Sequence, residues 1–174
     1  MASEPARSLA LFAHPVELAR SVDNTLSEAA GLSSALFVRD PSVTPIEELT
    51  VLLDRLQYWH RASYSPTHWF VVRLIAYALM RLGDHVAVGV MFGAEDAARL
   101  RFPRTTDDER RIEQAMEALR ATFGDDDLAD LRAAGASMEP AEFARYVVEA
   151  VHSAITDLRR RATDVRPTVG RHAG

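Results

Sequence analysis

Between residues 44 and 158 one helix start signal follows another, each answered by a stop, and this punctuation confines the chain to a helical fold. Thr44-Pro45-Ile46-Glu47 supplies a capping hydroxyl, a proline at the first helical position and a carboxylate three residues past the cap. The Thr oxygen and the Glu carboxylate can each satisfy an orphan amide of the first turn. A helix over 45–62 is predicted, burying Leu49, Leu52, Leu53, Leu56 and Trp59.

Ser65-Pro66 opens a second helix, apolar nearly all round over 69–82 apart from Arg73 and Arg81. A helix apolar on every side is a central one, covered by neighbours on more than one face. Gly83 ends it, and Asp84 caps a further segment reaching to about residue 100. After Pro103 the pattern repeats: Thr106-Asp107-Asp108-Glu109 reads as a second capping box, and Gly124 stops the helix it opens. Ile112, Met116, Leu119 and Phe123 form the apolar stripe of that helix. Asp125, Asp126 and Asp127 head a short helix ending at Gly135. Ser137 opens the last one, with Phe143, Val147, Ala150, Val151, Ala154 and Leu158 at helical spacing.

Strand signals are nearly absent; only 35–38 is short, apolar and closed by a turn, at Asp40-Pro41. The expected fold is therefore all-α: a short array of about three antiparallel helix hairpins, similar to tetratricopeptide repeats, closed by an amphipathic C-terminal helix. Residues 1–162 form one helical-repeat domain with a weaker N-terminal part over 1–43, and 163–174 form a mobile basic tail. The helix starts near Pro45 and Asp84 lie about forty residues apart, a long helix-hairpin period.

Composition narrows the function. With 174 residues, 48% hydrophobic and 26% charged, the chain can bury one sizeable core. Cysteine is absent, which removes disulfides and thiolate metal sites. All twenty basic residues are Arg, which fits a GC-rich genome. From Arg159 onward five Arg face only Asp164, leaving four positive charges there and nine negative in the body before it. An acidic body argues against nucleic-acid binding, although the Arg159-Arg160-Arg161 triplet keeps an accessory role for nucleic acid or membrane open. The richest apolar stretch, 69–91, is broken by Arg73, Arg81 and Asp84, short of the about 18 apolar residues a membrane span needs. The apolar run at 8–13 is shorter than the roughly 7–15 residue core of a secretory signal, so a cytoplasmic location is expected.

The order of several motifs carries a resemblance. Tyr58-Trp59-His60-Arg61-Ala62, Trp69, Arg81-Leu82-Gly83-Asp84-His85 and Phe92-Gly93-Ala94-Glu95-Asp96-Ala97 fall at hairpin spacing. Ala118-Leu119-Arg120-Ala121, Phe123-Gly124-Asp125, Ala134-Gly135 and Met138-Glu139-Pro140-Ala141-Glu142 continue the series. Over 44–152 the chain resembles the C-terminal tetratricopeptide-like region of large actinobacterial regulators, those with a signal-transduction ATPase module and often a LuxR-type DNA-binding or cyclase domain. No phosphate loop can be written without lysine, and no basic recognition helix is evident, so the resemblance is to the repeat arm. It implies a protein-interaction or regulatory role.

Chemistry-bearing patterns are sparse. Gly31-Leu32-Ser33-Ser34-Ala35 is a poor version of a hydrolase nucleophile elbow, which needs a strand before it and a second small residue after the Ser, where this chain has Ala35 in helical surroundings. The Asp125–Asp127 run complements the positive end of a helix dipole. His60, His68 and His85 flank helix junctions and define the alternative function: a small all-α ligand- or metal-binding protein or enzyme using that corner. Gly89 and Gly93 lie four apart on one helix, the mark of a close helix crossing or of a ligand groove. Tyr58, Trp59, Tyr64, Trp69 and Phe70 gather around one turn, with Tyr64 expected to be exposed. The expected function is a non-enzymatic helical-repeat module, without cofactor or metal, binding a protein partner or small effector through Tyr64, Trp69, Gly89 and Gly93. A short repeat stack leaves an apolar end, so self-association is also expected.

Overall fold

The computed structural model describes residues 43–61, 67–98 and 104–164. Every regular element among them is a helix: α1 (Pro45–Arg61), α2 (Thr67–Leu82), α3 (His85–Ala97), α4 (Thr106–Ser137) and α5 (Pro140–Asp164). The N-terminal part, the 35–38 strand signal, the Gly31–Ala35 pattern, Tyr64 and the basic tail after Asp164 lie outside the described residues.

Local chemistry sets the ends. The Thr44 amide donates to Glu47 Oε2 at 2.8 Å while the Glu47 amide donates to Thr44 Oγ1 at 3.3 Å, the reciprocal box expected at the start of α1. At the end of α2, Gly83 takes φ +86°; the Gly83 amide donates to Met80 O and the Asp84 amide to Leu79 O, closing the last carbonyls in a Schellman turn. Asp84 then accepts from the Ala87 amide and caps α3.

Two starts differ from the sequence reading. The cap of α4 is Thr105, not Thr106: the Asp108 amide donates to Thr105 Oγ1 and the Thr105 amide to Asp108 Oδ2. Ser137 is the last residue of α4 and does not open α5, which starts at Pro140, where the missing amide hydrogen of proline is no loss. Gly124 breaks α4 into two limbs. Its φ of 80° and ψ of 177° lie in a region open essentially to glycine alone, so the helix direction changes there.

The apolar α2 is the centre. Val71, Val72, Leu74, Ile75, Ala76, Ala78 and Leu79 are all buried. α1 covers one side through Leu49, Leu52, Leu53 and Leu56, and α3 covers another through Val88, Met91 and Phe92. α5 returns to pack Phe143, Val147, Val151 and Ile155 on α1, α2 and α3. The most extensive contact joins α3 to α4.

Candidate functional site

At the α3–α4 crossing both helices present glycine. A Cβ on Gly93 would lie 2.1 Å from Arg132 O, and one on Gly135 would lie 1.9 Å from Val90 O. At Gly89 the nearest atoms belong to the Leu131 side chain, at 3.3 Å. Gly89 and Gly93 are therefore filled by the second limb of α4, and no groove opens at that face. Of the two readings of this glycine pair, the geometry takes the close crossing.

Trp69 is half-buried near the start of α2. Its ring stacks on Phe143 of α5, with centroids 5.3 Å apart, and His68 meets it edge-on at 5.7 Å. The histidine corner does not form as the sequence suggested. His68 opens α2 and His85 follows its end, so the helix itself holds them about 20 Å apart. His85 Nδ1 lies 3.3 Å from Thr122 Oγ1 on α4, while the side chain of His60 lies outside what is described.

A charged cluster that the sequence reading missed joins α2, the end of α3 and α4. The Arg73 side chain is fully buried on α2; its Nε and Nη2 donate to Glu95 Oε1 at 3.0 and 2.5 Å. Its Nη1 lies 3.2 Å from Asp108 Oδ2. Arg104 reaches Glu95 Oε1 at 3.4 Å and Asp96 Oδ1 at 2.9 Å, and Arg132 closes on Asp96 Oδ2 at 2.7 Å. Tyr77 donates to the Asp108 carbonyl at 3.3 Å, and burial, seconded by the Asp108 charge, pushes its phenol well above the ordinary range.

Three guanidinium groups meet three carboxylates, so the cluster neutralises itself. It ties α2, the end of α3 and the start of α4 together, and it contains no nucleophile. A buried ionic group needs partners. Arg73 inside a run of valine, leucine and isoleucine was the signal that such partners exist.

Open surface lies elsewhere. A groove of about 370 Å³ runs between α1 and α5, lined by Leu56, Gln57, Ala141, Ala144, Arg145, Val148 and Glu149. The floor is apolar and the small residues Ala141 and Ala144 keep it open; Gln57, Arg145 and Glu149 form a polar rim. A second hollow of about 330 Å³ lies between the Leu82–Asp84 turn and the far end of α5, at Asp157 and Arg161, and is mostly polar. Among the described residues no helix is long and apolar enough to cross a membrane. No protein-family model, curated protein or solved structure matches this chain.

Proposed function

We propose that this chain is a non-enzymatic interaction module whose α1/α5 groove accepts an amphipathic helix. The observation that carries the reading is the pairing of an apolar floor (Leu56, Ala141, Ala144, Val148) with a polar rim, in a groove between Leu56-Gln57 of α1 and the first turns of α5. The Arg73–Glu95–Asp108 charges are buried and self-neutralised, and of the two hollows described this groove is the one with a mostly apolar lining. The order of helices, with α2 between its neighbours and α5 folded back across them, is consistent with a short tetratricopeptide-like hairpin array closed by its last helix. The resemblance to the repeat arm of actinobacterial transcriptional regulators supports the same reading: a cytoplasmic, regulatory, protein-binding role.

The test is a photo-crosslinking residue placed at Gln57 on the rim, compared with one at Glu113 on the exposed face of α4, in cells producing the full chain. Polypeptide adducts from position 57 that vanish on Val148→Asp support the groove. Absence of adducts at 57, or equal adducts at both positions, refutes it.

A further inference from the structure

We infer that the helix received by this groove is α5 of a second copy of this chain, lying antiparallel about a two-fold axis at the level of Val147; the inference rests on the groove reading above. The rim of the groove carries the argument. A two-fold interface must be complementary to itself, so that residue i meets j of the partner while j meets i. Arg145 and Glu149 stand one helical turn apart on the exposed flank of α5, and an axis midway between them sets each against its opposite charge in the other copy.

The same axis sets Glu142 against His152, both exposed on that flank. Arg145 and Glu149 are both exposed on that flank. Val148 lies one residue from the axis, beside Ala144 at the groove floor, where two copies of a helix can approach closely. The apolar floor supplies the attraction. Exposed ion pairs add little to it, but they fix register and direction. A parallel arrangement would set Arg145 on Arg145 and Glu149 on Glu149, and the charge order disfavours it.

The experiment compares the full chain with Arg145→Glu, Glu149→Arg, the double variant R145E/E149R and an equimolar mixture of the two single variants, by sedimentation velocity over a concentration series. Both positions are exposed, so all variants should keep the helical circular dichroism and melting midpoint of the parent. The expected result is a dimer for the parent and the double variant, about tenfold or greater weakening for each single variant, in which the two-fold sets like charges against each other twice, and recovery in the mixture. Recovery on mixing is specific to a self-complementary contact, since the first variant carries two acidic rim residues and the second two basic ones. A parent that stays monomeric overturns the inference, and adducts to a foreign protein from position 57 would then show the groove reading standing without it. Equal dimerisation of all forms overturns it too, because the contact would lie on another face.

Discussion

Replacing Gly93 by alanine tests the packing of the α3–α4 crossing on a single methyl group. In a helix interior this change gains about 1 kcal/mol of intrinsic propensity. Here the new Cβ would stand 2.1 Å from Arg132 O, 2.5 Å from its Cα and 2.6 Å from its carbonyl carbon. All three are backbone atoms, so no rotamer change relieves the overlap. Ordinary contact requires the two helices to separate by about 1 Å, and a gap of that size forfeits a quarter to a half of the dispersion energy of the atoms lining it. Gly135, seated against Val90 O and Ala94 N one turn away, loses its fit in the same movement.

Overpacking costs about 1–3 kcal/mol when side chains can adjust and about 3–4 kcal/mol here, where the overlap is with backbone. Net of propensity, Gly93→Ala is expected to destabilise by about 2–3 kcal/mol, lowering the melting midpoint by roughly 4–12 °C. Gly89→Ala is the control. Its Cβ meets Leu131 Cβ and Cδ1 at 3.3 Å and Leu128 Cδ1 at 3.7 Å, contacts that a shift of a few tenths of an ångström and a Leu131 rotamer change relieve, so propensity and crowding should cancel to within about 1 kcal/mol. Urea denaturation of both variants, followed by helical circular dichroism, measures the difference. Equal midpoints for the two alanine variants would refute the crossing argument.

Arg73→Met should lower stability by about 3–5 kcal/mol, because Glu95 and Asp108 stay buried while the guanidinium between them is lost; a loss below about 1 kcal/mol in denaturant would contradict this. Thr105→Ala should cost about 1 kcal/mol and Thr106→Ala close to nothing, as thermal melts can resolve, since only Thr105 caps α4. Burial pushes the Asp96 carboxyl up, but the hydrogen bonds from Arg104 and Arg132 outweigh it and hold the group below its ordinary 3.8. Its contribution is complete above that value and lost as pH falls through the lower folded pKa. Asp96→Asn should therefore flatten the acid-side fall in stability, and identical slopes for variant and parent below pH 4 would refute it.

Much of the fold was legible because caps are local. Thr44 with Glu47, Gly83 with Asp84, and the break at Gly124 each depend on fewer than six consecutive residues, and each is found where the sequence placed it. The one-residue error at α4 has a physical cause. Thr105-x-x-Asp108 and Thr106-x-x-Glu109 are both acceptable boxes, and general preference favours the one ending in Glu. What separates them is tertiary, since Asp108 also faces Arg73 of α2 and a one-residue shift would turn it away. The start of α5 was misread for a simpler reason: Ser137 looks like a cap, but Pro140 three residues later is the stronger signal.

The candidate site was less legible. Gly89 and Gly93 were identified as a pair needing a close neighbour, yet nothing in their own sequence says that residues 131–135 supply it. The α1/α5 groove joins residues some ninety positions apart, and no local pattern announces that Leu56 and Val148 share a wall. The histidine corner erred in the opposite direction, treating closeness along the chain as closeness in space although a 16-residue helix intervenes. Arg73 was visible as an anomaly in an apolar helix, and its partners were not.

The claim that α5 forms the working surface, paired antiparallel with its copy, is tested most directly by one distance. The chain has no cysteine, so Thr156→Cys provides a single attachment point for a spin label on the exposed side of α5. With the axis at residue 147, label positions in the two copies separate by about 3 Å for each residue from the axis, and neighbouring helices lie about 9 Å apart. Double electron–electron resonance on the labelled full chain should therefore give a separation of about 28 Å between copies. A parallel pairing would give about 10 Å, and a monomer no dipolar signal at all; either result contradicts the account.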